Sequence, residues 1–325
     1  MRVLLIEQYG LGDAVFSLPV LARLRQERDV HLAGVPSPAV RALREAFSQY
    51  DETLVPEQVW ADVWDAVLDL TGKRRTARLA RRTRARVIVG TPWWLAPVGA
   101  GRYYRQVVPP PAAGHVTQAR AALLVPLGLD CRDTIPHLEP TARQMAWAAD
   151  RLQQTGLGPR DRLVALHPGG HSHGRQWPAE NYLALGEALS RQGVRCLLVG
   201  EEAERPLLEW LASCFDAVIA VAPDMGHLAA LLAHCRAFVG GDSGPLHLAA
   251  AAGTPVVGIY GRSDPTWSGP VGAHAGVVRM DLPCSPCRGR PHACFRPCLR
   301  GNRCLRDLPV NMVLPAVHAA MEGRS

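Results

Sequence analysis

Short, almost wholly apolar runs alternate with helix-length segments along this chain, and the alternation occurs twice. In the first half "RVLLI" (2–6), "VHLAGV" (30–35), "DAVLDL" (65–70) and "RVIVG" (86–90) are separated by predicted helices near 13–28, near 38–47 and over the basic stretch 72–86. Strands without a polar face must be covered on both sides, which means parallel strands joined by helical crossovers. A Pro-, Trp- and Tyr-rich segment, 91–113, reads as irregular, and a helix near 115–127 closes this half. The second half repeats the scheme with "LVALHPG" (163–169), "RCLLVG" (195–200), "DAVIAVAP" (216–223), "AFVGG" (237–241) and "PVVGIYG" (255–261). Helices at 179–193, from 202, at 226–235 and over an alanine run lie between them. The fold class is therefore α/β, with two doubly wound, Rossmann-like parallel sheets. A polar, helix-prone stretch near 140–155 followed by "GLGPRDR" (156–162) sets the expected domains at 1–155 and 156–325, with a cleft between them.

The length agrees: 325 residues suit two domains of about 150 each. With 48% hydrophobic residues the chain is globular rather than disordered. No apolar run reaches the roughly 20 residues of a membrane span, and "MRVLLIEQYG" is too weakly apolar for a signal-peptide core. A cytoplasmic protein is expected, with a membrane surface still open to it.

The net charge is +7, carried almost entirely by Arg; Lys73 is the only lysine. "GKRRTARLARRTRAR" (72–86) concentrates eight basic residues without an acid. It is either a solvated helix face or a site for an anionic partner such as nucleic acid, phospholipid headgroups or a phosphorylated glycolipid. It has no interleaved aromatic residues, which argues against nucleic acid.

In open α/β sheets ligands bind beyond the carboxyl ends of the strands. The first such loop, "EQYGLGDAVF", has Gly10 and Gly12 but Val15 where a dinucleotide fingerprint needs its third glycine. It offers instead Asp13 at a helix start. That residue is an ordinary cap or, beside glycines that let a second molecule approach, a base for a hydroxyl nucleophile. In "HPGGHSHGRQWPAENY" Arg175 precedes a helix, where a cation and free amides together suit phosphate; Trp177 reads as packing. In "GGDSGPLHLAAAAGTP" (240–255) Ser243 or Asp242 can cap, and Pro245 fits the first turn. The Ser243 hydroxyl, the amides of Ser243 and Gly244 and the helix dipole form a place for a diphosphate, with His247 a turn further on. Asp242 would repel phosphate directly, so it is assigned to orienting the loop or accepting hydroxyl hydrogen bonds.

Taken together, "GLGDAVFSLP", "HPGGHSHGRQWP", "GDSGPLHLAAAAGTPVVGIYG" and "SDPTWSGP" resemble glycosyltransferase family 9, the bacterial lipopolysaccharide heptosyltransferases and their relatives. The resemblance runs from residue 2 to about 318. It implies a GT-B fold with an N-terminal acceptor domain and a C-terminal nucleotide-sugar domain. It also implies inverting, metal-independent transfer, usually from ADP-heptose, to a lipopolysaccharide core at the inner face of the membrane. By the same resemblance Asp13 is the general base. Gly12, Arg175, Asp242, Ser243, Gly244 and His247 bind the donor, and the family usually has Lys where this chain has Arg175. The start of the basic run, Lys73, Arg74 and Arg75, is then where an anionic glycolipid docks. The expected partners are the donor, this acceptor and the inner-membrane surface, with no nucleic acid. Rival readings are a relative with another sugar or acceptor, a non-catalytic glycolipid-binding module, and a metal-dependent protein built on the cysteine tail.

That tail, "CSPCRGRPHACFRPCLRGNRC", holds Cys284, Cys287, Cys294, Cys298 and Cys304. In a cytosolic chain disulfides are disfavoured. The set is either free thiols in a basic loop or a structural zinc or iron–sulfur site on Cys284, Cys287, Cys294 and Cys298. No cofactor is expected for the transfer itself.

Overall fold

The computed structural model describes residues 1–91, 101–109, 111, 113–158, 161–170, 175–272, 274–287 and 298–323. It falls into two compact units, Met1–His137 and Leu138–Ser325.

The first unit is built on β1 (Arg2–Glu7), β2 (His31–Pro36), β3 (Glu52–Thr53), β4 (Ala66–Asp69), β5 (Val87–Gly90) and β6 (Gln106–Val107), in the order β3-β2-β1-β4-β5-β6. All pairings are parallel. The strands are buried on both faces because Val3, Leu4, Leu5 and Ile6 of β1 point alternately into two separate cores. The helices are α1 (Leu11–Phe16), α2 (Leu18–Arg25), α3 (Pro38–Ala46), α4 (Arg74–Arg82) and α5 (Val116–Ala121).

The single helix expected at 13–28 is in fact α1 and α2, separated at Ser17. Pro19 has no amide hydrogen to continue the ladder and crowds the preceding turn, while the Ser17 hydroxyl donates to the Asp13 carbonyl at 3.2 Å. The helix also starts earlier than expected. Gly10 is its cap, so Asp13 lies within the first turn and is not a cap. The expected helix near 115–127 is α5 followed by a 3-10 turn over Ala122–Leu127. The stretch 91–113, expected to be irregular, contributes β6; its residues 92–100, 110 and 112 lie outside the described residues.

The second unit contains α6 (Ala142–Gln154), α7 (Ala179–Ser190), α8 (Arg205–Cys214), α9 (Met225–Ala233), α10 (Gly244–Ala251), α11 (Pro265–Ser268), α12 (Arg303–Arg306) and α13 (Val310–Glu322). Its strands are β7 (Leu163–His167), β8 (Arg195–Val199), β9 (Ala217–Ala220), β10 (Ala237–Gly241), β11 (Val256–Ile259) and β12 (Ala275–Val278). They run in the order β12-β11-β10-β7-β8-β9, again all parallel. Counted within its unit, each sheet has the order 3-2-1-4-5-6 of the Rossmann fold.

The division falls at His137/Leu138, earlier than the expected 155/156. The reason is α6. Its apolar face, Ala148 and Leu152, joins Leu157, Ala165 and Leu231 in a core of the second unit, so the glycines after it form a turn inside that unit rather than a linker.

Candidate active site

Strand order reverses between β1 and β4 in the first sheet and between β7 and β10 in the second. These are the switch points where open α/β sheets bind ligands. The loops singled out in the sequence follow β1 and β4 in one unit and β7 and β10 in the other.

In the first unit β1 ends on Glu7, wholly buried and paired with Arg44 of α3, itself 1% exposed. Arg44 approaches both carboxylate oxygens, at 2.7 and 3.2 Å, and donates to the Ala14 carbonyl at 2.9 Å. The Tyr9 and Tyr50 hydroxyls also donate to Glu7. Burial, and then the Glu7 charge, push the Tyr9 hydroxyl pKa well above its ordinary range, so it stays protonated. Ser17 Oγ lies 2.5 Å from Tyr9 Oη. Arg120 of α5 binds this cluster to Asp13. It donates to Oδ1 of Asp13 at 2.6 Å, to Ser17 Oγ at 2.9 Å and to the Asp13 carbonyl, with its guanidinium 4.5 Å from the Tyr9 ring centroid. The Arg120 side chain is 4% exposed and that of Asp13 49%. The carboxylate thus has one oxygen held from within the protein and a half-exposed surface facing out. Gly12 lies beside it in the first turn of α1.

After β4, Asp69 is fully buried and organises the loop leading to α4. It accepts from the amides of Thr71 and Gly72, at 3.0 and 3.1 Å, and from Tyr104 Oη at 2.7 Å. Burial raises its pKa to about 6, with those hydrogen bonds pulling the other way. Lys73, Arg74 and Arg75 follow at the start of α4 and are exposed, as are the other basic residues of the run. Because β1 and β4 are parallel neighbours, this helix start emerges from the same sheet edge as Asp13. The described residues provide no carboxylate ion pair for the run. Tyr103 lies against it, and Arg78, then Arg74, lower that hydroxyl's pKa.

In the second unit Asp242 follows β10 and is nearly buried. Its Oδ2 faces Arg175 Nη1 at 3.1 Å and accepts from Ser263 Oγ at 2.5 Å, while His247 Nε2 lies 3.5 Å from Oδ1. Burial opposes ionisation, but His247, Arg175 and Ser263 outweigh it and hold the carboxyl below its usual range. Asp242 therefore draws Arg175, Ser263 and His247 together at the end of β10. Gly241 allows Arg175 to cross the strand end, since a Cβ there would sit 2.6 Å from the Arg175 carbonyl oxygen. Ser243 is the residue preceding α10 and Gly244 is its first residue. Neither Asp242 nor Ser243 caps the helix with its side chain, contrary to the expectation. The alanines let α10 lie close to its sheet, with Leu246, Leu248 and Ala249 wholly buried. Trp177 packs as expected, 1% exposed, its indole donating to the Leu308 carbonyl at 2.9 Å. Residues 171–174 of the expected loop lie outside the described residues.

Sequence reasoning missed Arg120, Glu7 and Arg44 in the first unit, and His167 and Glu204 in the second. The pairs Glu7–Arg44, Asp13–Arg120 and His167–Glu204 each join residues far apart along the chain. Of the expected metal ligands, Cys284, Cys287 and Cys298 are partly buried, and Cys294 lies outside the described residues. Burial, then the thiols of Cys287, Cys298 and Cys284, raise the Cys304 pKa. Among the described residues no group of three or more His, Cys, Asp or Glu is arranged to hold a metal ion.

Two Rossmann-ordered sheets, with these groups at their switch points, define a GT-B protein. The model of glycosyltransferase family 9 (heptosyltransferase) matches residues 54–295. The chain belongs to that family. Lipopolysaccharide heptosyltransferase 1 of Pseudomonas aeruginosa is 27% identical over 88% of this chain and 86% of its own length. Lipooligosaccharide heptosyltransferase 2 of Haemophilus ducreyi is 27% identical, and there the match spans about half of each protein, 51% of both. The fold is shared with a family 9 glycosyl transferase of Veillonella parvula, at a TM-score of 0.81, 22% identity and coverage of 99% and 97% of the two chains. It is also shared with Escherichia coli heptosyltransferase WaaC solved with ADP, at 0.75, 20%, 98% and 100%. No described helix is long and apolar enough to cross a membrane.

Proposed function

We propose that this protein is an inverting glycosyltransferase that moves heptose from ADP-heptose onto a lipopolysaccharide-core or related glycolipid acceptor. The reading is carried by Asp13, a half-exposed carboxylate at a switch point with one oxygen committed to a buried arginine. Such a group has a fixed direction and an open oxygen for a proton. In the reaction it takes the acceptor hydroxyl's proton as that oxygen bonds to the anomeric carbon. The bond from that carbon to the diphosphate breaks on the opposite face, and the electron pair leaves with the nucleotide diphosphate.

Arg175 and the amides at the start of α10 stabilise the charge that grows on the leaving group. A guanidinium has five N–H donors, so Arg175 can bridge Asp242 and phosphate. These groups supply the positive charge a divalent cation would otherwise bring. Support for the ADP donor comes from family membership and from the E. coli relative solved with ADP. Lys73, Arg74 and Arg75 receive the acceptor's anionic groups and hold the enzyme at the inner face of the cytoplasmic membrane. We assign Met1–His137 to the acceptor and Leu138–Ser325 to the donor. The tail keeps its two readings, free thiols or a structural zinc or iron–sulfur centre, and elemental analysis of purified protein separates them.

Calorimetry of the full chain against ADP-, GDP- and UDP-sugars tests the donor. Binding of the ADP-sugar alone is expected, and binding of none overturns the assignment.

A further inference from the structure

Ser243 has the extended backbone of a helix cap, φ −147° and ψ 163°, yet its hydroxyl caps nothing. It faces Nδ1 of His167 at 3.4 Å. His167 ends β7 and is buried, with its ring against Phe238 of β10. Its Nε2 faces Oε2 of Glu204 at 3.7 Å. Glu204 is itself fixed, accepting from the amides of Gly170 at 2.6 Å and Glu201 at 2.8 Å. Gly169 makes this approach possible, because a Cβ there would collide with the carboxylate. Burial works against the charge on Glu204, but His167 and the two amides outweigh it and bring its pKa to about 2. An ionised carboxylate, an imidazole and a hydroxyl thus stand in line, with the hydroxyl at the beginning of α10. The transfer chemistry above uses neither His167 nor Glu204.

We infer that Glu204, His167 and Ser243 form a relay that sets whether the Ser243 hydroxyl donates or accepts at the donor site, and that a bound diphosphate draws a proton onto His167. The inference rests on the reading of the α10 start as the donor site. A neutral imidazole with its proton on Nε2, toward the carboxylate, can only accept at Nδ1. Ser243 then gives its hydrogen to the ring and turns lone pairs toward the ligand, which suits a phosphate oxygen poorly. An imidazolium donates from both nitrogens. Ser243 then accepts from Nδ1 and offers its own hydrogen to phosphate. The added positive charge lies opposite Glu204, which offsets its burial. Among the described residues the groups set against the ring are Glu204 from the turn before α8, Ser243 from the start of α10 and Phe238 from β10. Arg175 and Asp242, beside the same helix start, balance each other in their 3.1 Å pair. Protonated His167 and bound diphosphate favour each other, and linkage makes the effect reciprocal. Because it acts through Ser243, His167 is a positioning residue.

The test is calorimetry of ADP-heptose binding to the full chain across about pH 6 to 8.5, where histidine titrates. The diphosphate is esterified at both ends and keeps its charge over this range. In the wild type, affinity rises as pH falls, by at most about tenfold per pH unit, the limit for uptake of one proton. Comparing buffers of different ionisation enthalpy shows proton uptake on binding. Both effects vanish in His167→Gln and in Ser243→Ala, and Glu204→Gln moves the rise to lower pH. Binding that is independent of pH with no proton uptake overturns the relay while leaving the donor site standing. An unchanged slope in His167→Gln does the same. Absence of wild-type binding at every pH overturns both. If His167→Gln fails to fold, wild-type proton uptake and Ser243→Ala decide.

Discussion

Arg120 and Asp13, from α5 and α1, meet in a 2.6 Å ion pair whose cation is buried and whose anion is half exposed. The buried partner cannot reorient without also leaving Ser17 and the Tyr9 ring. It therefore sets the direction of the carboxylate. Replacing Arg120 by Met is expected to lower kcat by about a hundredfold, the size of loss that a misplacement near 1 Å produces. Donor affinity, which we assign to the other unit, should stay within about twofold. Steady-state kinetics with separate donor titration checks this. An unchanged kcat would show that Asp13 needs no such support.

Arg175 is paired with Asp242 and is proposed to hold phosphate as well. Arg175→Met should weaken ADP-sugar binding by at least about tenfold, since a charge-assisted hydrogen bond contributes about 1.5–3 kcal/mol. Arg175→Lys keeps the charge and should lose only a few-fold, although a lysine cannot form the planar fork. Calorimetry of the two variants distinguishes a role in binding from one confined to pairing Asp242, for which both would bind as the wild type does.

Asp69 provides a stability signature that does not depend on activity. Its folded pKa is raised to about 6 by burial, whereas an unfolded Asp titrates near 3.9. Between those values the folded state binds the extra proton, so this group makes stability fall as pH rises from about 4 to 6 and leaves the loss in place above that. A shift of about two units corresponds to about 3 kcal/mol. Asp69→Asn removes the titration. Its Tm relative to the wild type should therefore increase across that window, as measured by thermal denaturation at several pH values. Parallel profiles would mean that Asp69 titrates normally.

Much of the fold is legible because buried parallel strands carry no polar interruptions: β1, β4, β7, β10 and β11 stand out as apolar runs, and the turn residues after them mark the switch points. The break between α1 and α2 is written in Pro19 and was missed through the apolar periodicity around it. The domain boundary was misplaced because α6, polar on its outer face, reads as a linker until Ala148 and Leu152 are seen against the second sheet. Asp13, Asp242 and Ser243 are proposed from their places in loops. Arg120, Glu7, Arg44, His167 and Glu204 were not legible there, because their importance lies in partners 34 to 107 residues away. Spacing along one chain carries no record of such pairs.

The basic start of α4 is a prediction about the acceptor alone. Reversing Lys73, Arg74 and Arg75 to Glu should raise the acceptor KM by ten- to a hundredfold or more, on the basis of about 1 kcal/mol for each basic residue near an anionic surface. The effect should shrink at high salt, where such charges are screened. Donor affinity should not change. Kinetics at two ionic strengths measure it, and an unaltered acceptor KM would leave these residues as a solvated helix face.

The most direct measurement is of Asp13→Asn, with donor binding and sugar transfer followed on the same preparation. An amide in this place can still accept from Arg120 but cannot take the proton of the attacking hydroxyl. ADP-heptose should bind within about twofold of the wild type while transfer falls by 10²–10⁴-fold, the usual contribution of a general base. Transfer at the wild-type rate with Asn at this position would contradict the proposed role of Asp13 and with it the mechanism.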